Sequence, residues 1–171
     1  VSPLEMANIA CIMANRGHFY YPHFIKEIEG ADIPSVYTTK QKTMVDAEHF
    51  DPVIDGMWRV VHEPGGTARR ARVDSLNICG KTGTAENFKV YNGKRHQLVD
   101  HSIFIAFAPK DDPKIAVSVY IENSGFGGTW AAPLASLLIE KYLTGEIADT
   151  TKENRILDAN LLPIKFQKKK K

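Results

Sequence analysis

Three strand-like runs, at about residues 76–86, 102–108 and 115–122, constrain this chain most, because their apolar content is high on both alternating faces. The last two are joined by Pro109-Lys110-Asp111-Asp112-Pro113-Lys114, a connection rich in turn formers and short enough for an antiparallel hairpin. Strands apolar on both sides need cover on both sides, so the sequence predicts an antiparallel sheet between helices. The fold class that follows is α+β, with the sheet covered by helices on both faces.

The covering helices have their own signals. Ser2-Pro3-Leu4-Glu5 combines an N-cap hydroxyl, a proline at the first helical position and a glutamate placed to close a capping box. A helix is expected from there to about Arg16, ended by Gly17, with an interior (Ala7, Ile9, Ala10, Cys11, Ile12, Met13, Ala14) apolar on most sides. Residues 19–28 read as an aromatic turn and a short strand, and residues 30–46 as a polar surface connection. Phe50, Val53, Ile54, Met57, Val60 and Val61 recur at three- and four-residue spacing, with Asp51-Pro52 in the first turn and Glu63-Pro64-Gly65-Gly66 as the stop. Residues 88–100 are polar and basic, and a mobile loop is expected there. A last helix is expected over about 130–143, with Leu134, Leu137, Leu138 and Tyr142 as its buried stripe, Glu140 and Lys141 facing water, and Gly145 as its C-cap. The division expected is one domain portion over residues 1–145 and a polar, lysine-ended, poorly ordered tail over 146–171.

Composition narrows the function. At 171 residues, 43% hydrophobic and 25% charged, the chain fits a single packed domain, and its net charge of +2 is too small to point to nucleic acid. The run Lys168-Lys169-Lys170-Lys171 reads as a solvated end. No apolar run is long enough to span a bilayer, and no secretory leader is present. Because Val1-Ser2-Pro3 opens without methionine, directly at a helix start, the expectation is a piece of a longer protein. Cys11 and Cys79 lack the spacing of a zinc site; buried free thiols are the preferred reading, with a disulfide left open. No metal and no cofactor are expected.

The first strand carries the chemistry. Ile78-Cys79-Gly80-Lys81-Thr82-Gly83-Thr84-Ala85 places a lysine and two threonine hydroxyls around a glycine. Such a strand can hold a carboxylate and steady an oxyanion. Lys-Thr-Gly alone arises by chance in roughly a few percent of chains this long, so context decides. A phosphate-binding P-loop is disfavoured, since Ser75 stands where its first glycine belongs and residues 76–79 look like strand.

The order of motifs resembles the transpeptidase domain of penicillin-binding proteins, most closely the penicillin-binding protein 2 group that serves cell elongation. The resemblance runs to about residue 145: Ser2-Pro3-Leu4-Glu5-Met6-Ala7, Asn15-Arg16-Gly17, Asp55-Gly56-Met57, Gly66-Thr67-Ala68, the Gly80 to Ala85 strand, Asp100-His101-Ser102-Ile103-Phe104, Ala106-Phe107-Ala108-Pro109, Glu122-Asn123 and Ala131-Ala132-Pro133. That family joins a Ser-x-x-Lys nucleophile, a Ser-x-Asn and a Lys-Thr-Gly in one cleft. Here only the third is expected to act. None of Ser2, Ser35, Ser75, Ser102, Ser118, Ser124 and Ser136 has a lysine three residues on, and Ser75-Leu76-Asn77 reads as a decoy on the same strand approach as Lys81.

The resemblance implies serine acyl transfer between peptidoglycan stem peptides, imitated by β-lactams. The acylating serine is expected outside this chain. Lys81 is implied as the cationic catalytic group, worth on the order of 4 kcal/mol of raw attraction to an anionic oxygen about 4 Å away. Thr82 and Thr84 are implied as carboxylate donors, Gly83 as room for substrate along the strand edge, and the Thr84 backbone N–H as half of the oxyanion hole. Implied partners are the stem peptide, β-lactams and a membrane glycosyltransferase of the elongation machinery, with no nucleic acid. The implied location is the periplasmic face of the inner membrane, held by an anchor outside this chain. His96, His101, Arg69, Arg70, Arg72 and Trp130 are lesser candidates, read first as structural or solvated. A noncatalytic carboxylate or peptide-binding module and a β-lactamase-like serine hydrolase remain alternatives.

Overall fold

A computed structural model describes residues 1–161. Its centre is a three-stranded antiparallel sheet of β3 (Cys79–Ala85), β6 (His101–Ala108) and β7 (Ile115–Ile121), in the order β3-β6-β7. The residue 109–114 connection closes the β6–β7 hairpin as the turn formers predict, pairing Ala108 with Ile115. Helices α1 (Pro3–Ala14) and α3 (Phe50–His62) cover one face, and α4 (Ala131–Thr144) covers the other. The expected α+β sandwich is therefore the observed one.

Local chemistry explains the ends of these elements. Ser2 and Glu5 close a reciprocal capping box on α1, and Gly17 follows its C-terminus at φ 96°. On the α4 face the fully buried Phe104 packs with Ala132, Ala135 and Ile139. A Cβ at Gly80 would collide with the Phe104 ring, so the glycine opening the Lys-Thr-Gly strand is required by the core. On the other face Phe107 and Cys79 join Ala14, Phe50, Ile54 and Met57. Burial pushes the Cys79 thiol up to about 12 and raises that of Cys11, and both cysteines are free.

Four expectations are corrected. No strand forms within residues 20–28. Instead His18–Phe19 (β1) pairs with Gln41–Lys42 (β2), around a largely exposed segment holding the short helix α2 (Ser35–Thr38). Residues 88–100 form no loop but a two-stranded ribbon, β4 (Phe88–Tyr91) and β5 (Lys94–Gln97). Asn92 and Gly93, both at positive φ, supply its two-residue turn. The buried side of α4 is rotated: Leu138 and Tyr142 are 49% and 65% exposed, whereas Glu140 is 4% exposed. Alanines at 131, 132 and 135 let the helix lie close to the sheet, and the Glu140 carboxylate accepts the Ala148 N–H at 3.3 Å. Finally, residues after 145 include a helix, α5 (Thr150–Leu157), capped by Asp149 and packed on α4. The four terminal lysines lie outside the described residues.

Candidate functional site

Among the described residues β3 is an edge strand whose one partner in the sheet is β6. Alternation sends Cys79, Lys81 and Gly83 toward the α1/α3 face and Thr82 and Thr84 toward the α4 face. Thr82 and Thr84 line a pocket of about 510 Å³ there. Its floor includes Gly127 and Gly128, and its rim includes Thr67, Thr129, Arg69 and Arg70.

Each wall has a local cause. Gly66 and Thr67 follow the α3 stop, and the Ala68 N–H donates to the Val60 carbonyl at 3.0 Å. Ala68 and Ala71 are fully buried, which turns Arg69 and Arg70 of the intervening 3₁₀ turn outward. Thr67 reaches Thr82 through a hydroxyl–hydroxyl bond of 2.9 Å, joining this turn to β3. The glycine loop lies directly on the sheet: a Cβ at Gly127 would collide with the carbonyl oxygens of Ile103 and Gly83, and one at Gly128 with that of Thr67. Buried Ser102 pins the loop, donating to the Phe126 carbonyl at 3.0 Å and accepting the Ala131 N–H at 3.1 Å.

Helix α5 reaches the same walls. Lys152 Nζ donates to the Arg72 carbonyl at 3.0 Å, at the end of the arginine turn. Arg155 donates to the Thr129 carbonyl at 3.1 Å and lies over the Trp130 ring at 4.5 Å. Trp130 is therefore a packing surface for an arginine and is not among the pocket's lining residues.

The sequence candidates divide accordingly. Thr82 and Thr84 share the pocket. Lys81 does not line it; its exposed ammonium donates to the Thr82 carbonyl at 2.6 Å. A Cβ at Gly83 would sit 3.2 Å from Ile103 Cβ, so a close cross-strand neighbour also favours glycine. His101 Nδ1 accepts the Asn123 N–H at 3.0 Å, a structural bond, and His96 packs edge-on against Tyr91 in the exposed ribbon. Asn77 of the Ser75-Leu76-Asn77 string accepts from Trp58 Nε1 at 3.3 Å, and Ser75 lies at a different pocket, beside Glu140 and Lys152. Among the described residues no cluster of His, Cys, Asp and Glu could hold a metal.

Sequence reasoning missed Thr67, Gly127, Gly128 and Thr129 as pocket residues and set Arg69 and Arg70 aside as solvated. The glycine cluster after β7 was the available signal. What could not be read was that it folds back across β3. The pocket has a definite chemistry: four threonine hydroxyls and two guanidiniums, with no acidic residue among its lining. Such a lining favours a carboxylate or another small anion.

Comparison with known proteins follows the same lines. A profile of the penicillin binding protein transpeptidase domain matches residues 1–140. Peptidoglycan D,D-transpeptidase MrdA of Haemophilus influenzae is 36% identical over 166 residues, covering 90% of this chain and 25% of its own length. Peptidoglycan D,D-transpeptidase PbpA of Mycobacterium tuberculosis is 33% identical over 157 residues, covering 85% of this chain and 30% of its own length. Among solved structures, Pseudomonas aeruginosa PBP2 in complex with WCK 5153 superposes with a TM-score of 0.69 at 31% identity, over 84% of this chain and 30% of that one. The ceftriaxone acyl-enzyme of penicillin-binding protein A from M. tuberculosis gives 0.65 at 31% identity, over 84% and 33%. The chain thus spans between a quarter and a third of the length of these relatives.

Proposed function

We propose, from the premise that this chain belongs to the penicillin-binding protein transpeptidase domain family, that it supplies the carboxylate-binding half of a peptidoglycan D,D-transpeptidase. The observation that carries the reading is the joint placement of the Thr82 and Thr84 hydroxyls in an acid-free pocket on an unpaired strand edge. In this reading residues 1–145 are the C-terminal part of the transpeptidase domain, and the nucleophilic serine comes from polypeptide outside this chain.

The mechanism follows from the strand. A stem peptide lies along the open edge of β3 as an added antiparallel strand, its terminal carboxylate accepting from the threonine hydroxyls. The serine attacks the carbonyl between two D-alanines, and its oxygen–carbonyl bond forms as the peptide π-bond opens to an oxyanion. The Thr84 backbone N–H donates to that oxyanion, a contribution of about 2.7 to 4 kcal/mol at the transition state. Lys81, alternating with the threonines and exposed, approaches the edge from the other face and adds positive charge to the proton network that activates the serine. Collapse expels the terminal D-alanine, and an amine of a second stem displaces the serine. A β-lactam enters by the same route and remains attached.

The ceftriaxone acyl-enzyme of the similar penicillin-binding protein A supports β-lactams as ligands of this site. A similar D,D-transpeptidase domain belongs to a peptidoglycan glycosyltransferase from Eggerthella lenta, matched with a TM-score of 0.64 at 27% identity over 85% of this chain and 33% of that one. In this reading a membrane glycosyltransferase is the functional partner, as the family resemblance implies. No helix among the described residues is long and apolar enough to cross a membrane, so location at the periplasmic face relies on an anchor elsewhere in the protein.

Fluorescent penicillin tests the reading. The full-length protein is expected to become covalently labelled, and this chain alone is not. Reversible binding without a covalent adduct in the full-length protein would favour a noncatalytic module, and rapid release of opened penicillin would favour a β-lactamase-like hydrolase.

A further inference from the structure

The arginines of this chain fall into two groups. Arg16, Arg59, Arg72 and Arg95 each pair with a carboxylate at 2.7 or 2.8 Å, and Arg155 donates to the Thr129 carbonyl. Arg69 and Arg70 alone have neither a hydrogen bond nor an ion pair among the described residues, and both stand at the rim of the threonine pocket. Their turn is fixed: Ala68 and Ala71 are fully buried on either side, and the Arg72 carbonyl accepts from Lys152. The guanidiniums thus stand at the mouth of an anion-favouring pocket with no ion pair among the described residues; Asp149, which shares an outer pocket with them, bonds Lys152 instead. The unpaired arginine charge among the described residues is gathered where a carboxylate would have to enter.

We propose that Arg69 and Arg70 are the capture residues of this site: they draw carboxylate-terminated peptides and β-lactams into the pocket and select them over neutral ligands. The inference rests on the acyl-transfer reading of the pocket and adds a role that the β3 residues do not fill. Two exposed cations at a cleft mouth act before contact, raising the local concentration of an anionic ligand and its entry rate. Their field reaches about 30 Å at roughly 0.01 M salt and about 3 Å at roughly 1 M. The signature is therefore an entry rate that depends on ionic strength, while steps after acylation do not change.

The test measures the second-order rate of acylation of the full-length protein by benzylpenicillin, in wild type, R69E/R70E and R69K/R70K, across that salt range. At the low-salt end R69E/R70E is expected to acylate about tenfold or more slowly. The gap closes to within about twofold at high salt. R69K/R70K stays near wild type, because charge and not fork geometry is what steers. Deacylation of the preformed adduct and the melting temperature are unchanged in both variants. Benzylpenicillin methyl ester, which lacks the carboxylate, reacts alike with all three proteins. Equal benzylpenicillin rates in wild type and R69E/R70E at every salt overturn the inference while acylation of the wild type upholds the enzyme reading. A defect that persists at high salt and is not recovered by lysine also overturns it, since it marks the turn as merely structural. A wild type that benzylpenicillin never acylates overturns the enzyme reading and this inference with it.

Discussion

Along β3, the alternating Thr82 and Thr84 provide one wall of the pocket, whereas the facing wall is drawn from residues 66–70 and 126–129, on opposite sides of the sheet's hairpin in sequence. The first wall is positioned by strand pairing with β6, which fixes every side chain by register. The second is positioned by tertiary contact: the Thr67–Thr82 hydroxyl bond, the glycines pressed on the sheet, and the two hydrogen bonds from α5. A wall held by register tolerates change in its neighbours. One held by a few contacts transmits their loss directly to the site.

The largest expected effects are on β3. Lys81→Ala in the full-length protein lowers the rate of acylation by labelled penicillin about 100- to 1000-fold, the scale of losing one electrostatic stabiliser of a transition state. A rate within about threefold of wild type removes Lys81 from the mechanism. Thr82→Ala loses a hydrogen bond to a charged group, about 1.5 to 3 kcal/mol, and so about 10- to 100-fold in the same rate. Thr82→Ser restores most of it. If serine fails as badly as alanine, the threonine methyl and not its hydroxyl matters.

The facing wall is expected to respond less. Gly127→Ala forces the loop off the Ile103 and Gly83 carbonyls, with about 1 to 3 kcal/mol of overpacking strain read as a lower melting temperature and slower acylation. An unchanged protein would mean that the loop does not lie on the sheet. Arg155→Ala, which frees the Thr129 carbonyl, costs about 0.5 to 1.5 kcal/mol, or about two- to tenfold in acylation. Recovery with Arg155→Lys distinguishes the lost hydrogen bond from lost packing on Trp130.

The smallest effect lies behind both walls. Burial lowers the His62 pKa below its ordinary 6.5, the ring being stacked on Trp58 at 4.9 Å. The unfolded chain therefore takes up a proton first as pH falls. Stability attributable to this group is full above 6.5, declines as pH drops below it, and is wholly lost beneath the lowered folded value. Melting temperatures measured from about pH 8 to about pH 5 should fall less in His62→Gln than in wild type. Parallel curves would show that His62 charges freely in the folded state.

The same contrast explains what the sequence disclosed. Capping chemistry at Ser2 and Glu5, helical periodicity in α3 and the proline-bounded hairpin are local, so α1, α3, β6 and β7 were legible within a few residues. The 88–97 ribbon was obscured because both strands are exposed throughout and β5 carries no apolar residue, although Asn92-Gly93 marked its turn. In α4 the larger leucines and tyrosine drew attention from the alanines that approach the sheet, so the buried side was misread. That Thr82 and Thr84 share one face was legible because period-two alternation puts them there. Thr67, Thr129 and the arginine pair were not, because only the folded glycine loop and the α3 stop bring them to β3.

The most direct test is a crystal structure of the full-length protein acylated by benzylpenicillin. The ligand's carboxylate is expected within hydrogen-bonding distance of the Thr82 and Thr84 hydroxyls, with the acyl oxygen on the Thr84 N–H. A carboxylate bound away from β3, with those hydroxyls facing only solvent, would contradict the account.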